Sequence, residues 1–121
     1  MEIHGFFEDG MPYIPINVAA ELFHALLDTG YEGFVMLSGE AIARLGLKEL
    51  GKTLYQTADG QIHEGRVYLG KTAWLGASRD VALDSTDGDF SLVGMKLLRS
   101  SLLVMDPSRE LLTVSSVSAG P

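Results

Sequence analysis

Apolar residues along this chain come in short runs, and most runs fit strands better than helices. Ile3, Gly5 and Phe7 alternate with polar neighbours as a first strand, closed by the turn Glu8-Asp9-Gly10. Tyr13–Val18 reads as a second strand, and Pro12 and Pro15 place it at an edge or a bulge. Glu21–Leu27 follows. Leu26 and Leu27 are consecutive, so they face opposite sides of that strand, and both sides need cover. Gly33–Leu37 is another apolar strand. Ser38 then has the character of an N-cap, with Ala41, Ile42 and Leu45 at helical spacing and Gly46 as the stop, which predicts a short helix over 39–45. Thr53–Thr57 and Ile62–Leu69 flank Asp59-Gly60, a strong hairpin signal. Lys71–Leu75 and Val81–Leu83 continue as strands, with Gly70 between the first of them and the preceding run, and Asp84–Asp89 reads as an acidic loop. Ser91–Gly94 is apolar and ends in glycine, and Met95–Ser100 has the composition of a short helix. Leu102–Met105 and Leu111–Val117 are the last strands, joined by the turn Asp106-Pro107-Ser108-Arg109, and the tail from Ser118 is expected to fray. Many short strands with one or two short helices predict a mainly β barrel or sandwich.

Length and composition then set limits. At 121 residues, 46% hydrophobic and 21% charged, the chain is one globular domain over residues 1–121, with enough length for a single core. A net charge of −7 with scattered basic residues argues against nucleic acid as a partner, because a phosphate backbone is held by clustered Lys and Arg. There is no cysteine, hence no disulfide and no thiolate chemistry. No apolar run reaches the roughly 18 residues of a membrane span. The first residues carry Glu2, Glu8 and Asp9 rather than a basic region before an apolar one. The expectation is a soluble, cytoplasmic protein with no membrane partner.

The candidate chemistry lies in Leu26-Leu27-Asp28-Thr29-Gly30, where a carboxylate ends an apolar strand, followed by a hydroxyl and a glycine. A carboxylate at the edge of a core has a tunable pKa, and Gly30 allows the backbone a turn or a close approach. Other chemistries find less support. His4, His24 and His63 lack metal-ligand spacing, and His24 reads as a packed or surface residue. Asp84, Asp87 and Asp89 around Gly88 lack the distal Glu of a calcium loop, so no metal or cofactor is expected. No serine sits in a Gly-x-Ser-x-Gly setting, and Trp74, Tyr55 and Tyr68 read as packing residues.

Taken in order, the Asp28-Thr29-Gly30 strand, the Asp59-Gly60 hairpin and Leu92-Val93-Gly94-Met95-Lys96-Leu97-Leu98 resemble the retropepsin-like (retroviral-type) aspartic proteases, including their bacterial and archaeal single-domain relatives. The resemblance covers about residues 12–117. It implies a closed, barrel-like retropepsin fold in which Asp28 is the catalytic aspartate, Thr29 bonds across a dimer axis, and Gly30 lets backbone approach substrate. It also implies that Leu92, Val93 and Gly94 cross beneath the site, that the hairpin is a flap, and that Ala58, Asp59, Gly60 and Gln61 form its tip over the substrate. Tyr31 and Glu32 stand where the family usually has Ala or Ser and its neighbour, which makes Tyr31 a further substrate-binding candidate. The flap tip is Asp59-Gly60 in place of a glycine-rich apolar one. Asp-Thr-Gly occurs once, so the resemblance implies a homodimer in which Asp28 faces its copy across an extended peptide or protein substrate. Strand Leu111–Val117 is expected to have an edge for which dimer pairing provides cover. The competing expectation is a non-catalytic dimeric peptide-binding or interaction module that keeps the fold.

Overall fold

In the computed structural model, which describes residues 1–117, strands pair into a large sheet and a small one. The elements are β1 (Glu2–His4), β2 (Phe6–Glu8), β3 (Met11–Val18), β4 (Glu21–Leu27), β5 (Val35–Ser38), α1 (Gly39–Leu45), β6 (Lys48–Gln56), β7 (Ile62–Trp74), β8 (Ala77–Thr86), β9 (Leu92–Val93), α2 (Met95–Leu98), β10 (Ser101–Asp106) and β11 (Leu111–Ser116). The large sheet runs β2-β3-β4-β9-β5-β8-β7-β6, and β3 also pairs with β7 through Asn17–Ala73 and Val18–Thr72. That extra pairing closes β3, β4, β9, β5, β8 and β7 into a ring. The small sheet runs β1-β11-β10. The expected tail from Ser118 lies outside the described residues.

Alternation builds the interior. Ile14, Ile16 and Val18 of β3, Ala25 and Leu27 of β4, Val35 and Leu37 of β5, and Val81 and Leu83 of β8 all point inward and are buried. Val93, Leu97 and Leu98 close the core from the β9–α2 segment, and Leu112 and Val114 from β11. Each such side chain contributes about 1.5–3 kcal/mol by leaving water. Helix α1 forms where its caps place it. Ser38 Oγ accepts from Ala41 N at 3.1 Å, and Gly46 ends the helix in the left-handed region at φ 64°.

Several expectations are corrected. The runs Ile62–Leu69 and Lys71–Leu75 are one strand, β7, unbroken from Ile62 to Trp74. A Cβ at Gly70 would lie 3.0 Å from Leu83 Cγ and 3.2 Å from Val18 Cγ1, so the glycine gives room where β7 crosses the core. Asp84, Ser85 and Thr86 belong to β8 rather than to an acidic loop, held by parallel pairing of Met36, Leu37 and Ser38 with them. The first strand is two strands, because the chain passes from the small sheet to the large one at Gly5. Strand β3 is internal, yet Pro15 falls between its pairings with β2 and β7, where only β4 lies beside it and a missing N–H costs little. The two faces of β4 are unequal. Phe23, Ala25 and Leu27 turn inward, whereas Leu22 and His24 are exposed and Leu26 is half-covered. His24 packs edge-on against the Phe6 ring. Finally, β11 is not an edge. It lies between β1 and β10, and the edges of the small sheet are those two strands.

Candidate active site

Asp28 follows the last residue of β4, where a short parallel ladder delivers it. Leu26 pairs with Leu92 and Leu27 with Val93, Leu26 N donates to Ser91 O at 2.8 Å, and Asp28 N donates to Val93 O at 3.0 Å. Val93 is wholly buried, so the apolar lead-in and the segment beneath it share one floor. The chain then turns. Gly30 N donates to Asp28 Oδ1 at 2.9 Å and Tyr31 N to Asp28 O at 3.1 Å. Asp28 is half-buried, while Thr29 and Gly30 are exposed at the tip of this loop.

Behind the loop, backbone is tied to backbone. Met95 N donates to Tyr31 O at 2.8 Å, Lys96 N to Gly33 O at 3.1 Å, and Gly94 N to Phe34 O at 3.0 Å. Gly94 is a place where only glycine fits, since a Cβ there would lie 2.6 Å from Tyr31 O and 2.5 Å from Tyr31 Cδ2. Leu92, Val93 and Gly94 therefore lie directly beneath the Asp28 loop. Tyr31 itself is half-buried, and its hydroxyl donates to Asp84 Oδ2 across the ring from β8. Burial first, then the bond to Asp84 and that residue's charge, push the Tyr31 phenol well above its usual range.

Opposite the loop, β6 and β7 form a long hairpin whose tip is Thr57-Ala58-Asp59-Gly60-Gln61. The tip closes on itself. Thr57 N donates to Gln61 O at 2.9 Å, Gly60 N to Thr57 O at 2.9 Å, and Gln61 N to Asp59 Oδ1 at 3.1 Å, while the Thr57 hydroxyl also donates to Asp59. Between hairpin and loop is a cleft of about 590 Å³ with Gly30, Tyr31 and Glu32 on one wall and Leu54, Tyr55 and Gln56 on the other. Of the residues expected at the site, its lining includes Gly30 and Tyr31 but not Asp28, Thr29, Ala58, Asp59, Gly60, Gln61, Leu92, Val93 or Gly94. Met36, Arg66, Asp84 and Lys96 also line it; in the sequence Asp84 reads only as part of an acidic loop, Lys96 only as a member of the Leu92–Leu98 segment, and Met36 and Arg66 are not singled out. Asp84 alone carried a signal, a charged residue directly after the buried pair of positions Val81 and Leu83. Among the described residues, no group of three or more His, Asp and Glu is arranged to hold a metal ion, and no helix is long and apolar enough to cross a membrane.

No protein-family model matches the chain, and no curated protein sequence does. Solved structures do. A retropepsin-like aspartic protease from Rickettsia conorii is similar at a TM-score of 0.72 and 26% identity, over 96% of this chain and 91% of that one. EIAV protease, solved with an inhibitor, is similar at a TM-score of 0.64 and 18% identity, over 74% and 86% of the two chains. The retroviral protease-like domain of Ddi1 from Leishmania major is similar at 0.54 and 12% identity, over 89% and 94%. The closed β ring, the short helices and these likenesses together give the identification: the chain has the retropepsin-like fold of the retroviral-type aspartic proteases.

Proposed function

We propose that the chain is an aspartic endopeptidase that works as a homodimer, with Asp28 from each protomer forming the catalytic pair. The observation that carries this reading is the position of Asp28. It directly follows β4, bonded to the Leu92–Gly94 segment, and the Gly30–Glu32 loop just beyond it lines a cleft bounded on its far side by the β6–β7 hairpin. The likeness to the protease of Rickettsia conorii extends over 96% of the chain and supports the same reading.

The chemistry follows from two carboxylates sharing one proton. Like charges at short range do not both ionise, so one carboxyl stays protonated and the titration belongs to the pair; aspartic proteases are the standard illustration of this effect. The ionised member takes a proton from the bound water, whose oxygen attacks the scissile carbonyl carbon. The protonated member donates to the carbonyl oxygen as it becomes a hydroxyl. Transfer of a proton to the amide nitrogen then releases the amine and re-forms the carboxyl product. One Asp-Thr-Gly supplies half of this, and a two-fold axis supplies the rest. An extended peptide would lie as a strand between hairpin and floor.

A non-catalytic peptide-binding module is the second reading, favoured by Tyr31, whose half-buried ring stands in the cleft wall two residues beyond Thr29. The test is cleavage of casein between pH 4 and 7 by wild type and Asp28→Asn, with each protein's mass in solution recorded. A dimeric wild type that cleaves, with a loss on the order of 10²–10⁴-fold in a still-dimeric D28N, establishes the aspartate pair. A monomer that cleaves equally well sinks it.

A further inference from the structure

We propose that Tyr31 and Asp84 are a positioning pair, a side-chain brace that fixes the Asp28 loop to β8 and thereby to the strands that carry the hairpin. The inference rests on the aspartic-peptidase reading above and deepens it, because neither residue belongs to the Asp-Thr-Gly motif.

Backbone geometry gives the Tyr31 ring a set direction. Tyr31 N donates to Asp28 O at 3.1 Å, and Tyr31 O accepts from Met95 N at 2.8 Å, so the residue is held from both ends within three positions of the catalytic aspartate. Two glycines make the ring's bed. A Cβ at Gly33 would lie 2.6 Å from Tyr31 Cζ and 2.7 Å from Asp84 Oδ2, and one at Gly94 would lie 2.5 Å from Tyr31 Cδ2. With side chains at either position the ring could not reach Asp84. The hydroxyl then donates to Asp84 Oδ2.

What Asp84 is attached to makes the bond useful. It pairs with Met36 of β5 on one side and with Val67 of β7 on the other, and β7 is the strand that continues into the hairpin. The bond thus spans 53 positions in sequence and joins the loop that holds Asp28 to the base of the arm facing it across the cleft. A hydroxyl already donating to a carboxylate is not free to recognise a substrate group. The raised phenol pKa keeps that donor protonated throughout the working range. Shared-proton catalysis tolerates displacement of its carboxylates by only about half an ångström, so a brace of this kind acts on turnover rather than on substrate affinity.

The experiment compares wild type with Tyr31→Phe, Asp84→Ala and Asp84→Asn, all confirmed folded and at the wild-type solution mass. It reads kcat and KM on a cleavable peptide and amide hydrogen exchange of residues 28–31. Y31F and D84A are expected to lose about tenfold in kcat with KM within about twofold, and to exchange faster in the loop. D84N keeps an acceptor oxygen and is expected to hold kcat within about threefold, which a role resting on the charge alone would not allow. Unchanged kcat and unchanged exchange in Y31F overturn the brace. A raised KM at unchanged kcat makes Tyr31 a substrate contact and also overturns it. Failure of the underlying reading shows separately, as a wild type whose cleavage survives Asp28→Asn, and it removes the positioning role too.

Discussion

The floor beneath the Asp28 loop and the hairpin opposite that loop are built from similar residues on different terms. In the floor, Val93 and Leu97 are wholly buried, backbone groups from residues 28–34 are bonded to residues 93–96, and a tyrosine hydroxyl is spent on a carboxylate from another strand. In the hairpin, Leu54 is 71% and Ile62 69% exposed, and among the described residues the tip bonds only to itself and to Gln56. Both regions carry leucines, and the cleft lies between the loop that the first region holds and the hairpin. On the proposed reading, the chemistry is placed where every displacement is opposed by several partners. The hairpin, exposed on both strands toward its tip, lies at the low-stability end of the molecule.

Substitutions at matched positions break that contrast if it is wrong. The largest effect is expected for Gly94→Ala, whose methyl meets two backbone carbonyl oxygens and the Tyr31 ring, none of which is the end of a flexible chain. A loss of about 4 kcal/mol is expected in urea unfolding at fixed protein concentration. A loss below about 1 kcal/mol would mean that the floor gives way and is no platform. Leu97→Ala comes next at about 3 kcal/mol, the transfer and cavity cost of a wholly buried leucine. The same truncation in the hairpin, Leu54→Ala, is expected within about 0.5 kcal/mol of wild type by the same measurement. Equal losses at the two leucines would erase the distinction between floor and cover.

How much of this was legible in the sequence follows the same division. Local signals read well because their physics is local. Ser38 and Gly46 bound α1 as their capping chemistry requires, and Asp59-Gly60 sits at a hairpin tip. The apolar Leu92-Val93 pair emerges as a buried strand because its burial is written in its own residues. Long-range features did not read. The runs Ile62–Leu69 and Lys71–Leu75 meet at Gly70, whose role depends on Leu83 and Val18 in other strands. The first residues of β6, from Lys48, have no apolar alternation because that end of the strand is exposed. Strand β11 is interior only because β1, from the opposite end of the chain, comes to lie beside it. Asp84 reads as part of an acidic loop and Tyr31 as a substrate-binding candidate, and only the closed ring brings them together.

The smallest expected effect concerns the hairpin tip, and it tests whether that tip really stands alone. Asp59 accepts hydrogen bonds first from the Thr57 hydroxyl and then from Gln61 N, and these hold its carboxyl below the usual carboxylate range. A carboxylate whose folded pKa is depressed contributes order that is fully present above its unfolded value, about 3.9, and is lost as pH falls through the lower folded value. The tip is therefore ordered across the pH 4–7 range of the cleavage assay and loosens only below it. The group is fully exposed, so the loss stays local and leaves the unfolding midpoint of the whole protein where it was. The amide resonances of Gly60 and Gln61, followed by pH titration, are expected to move together with a midpoint below about 3.9, and Asp59→Asn is expected to flatten both curves. A midpoint at or above that value would show the tip's own bonds absent in solution, and with them the independence that separates the hairpin from the floor.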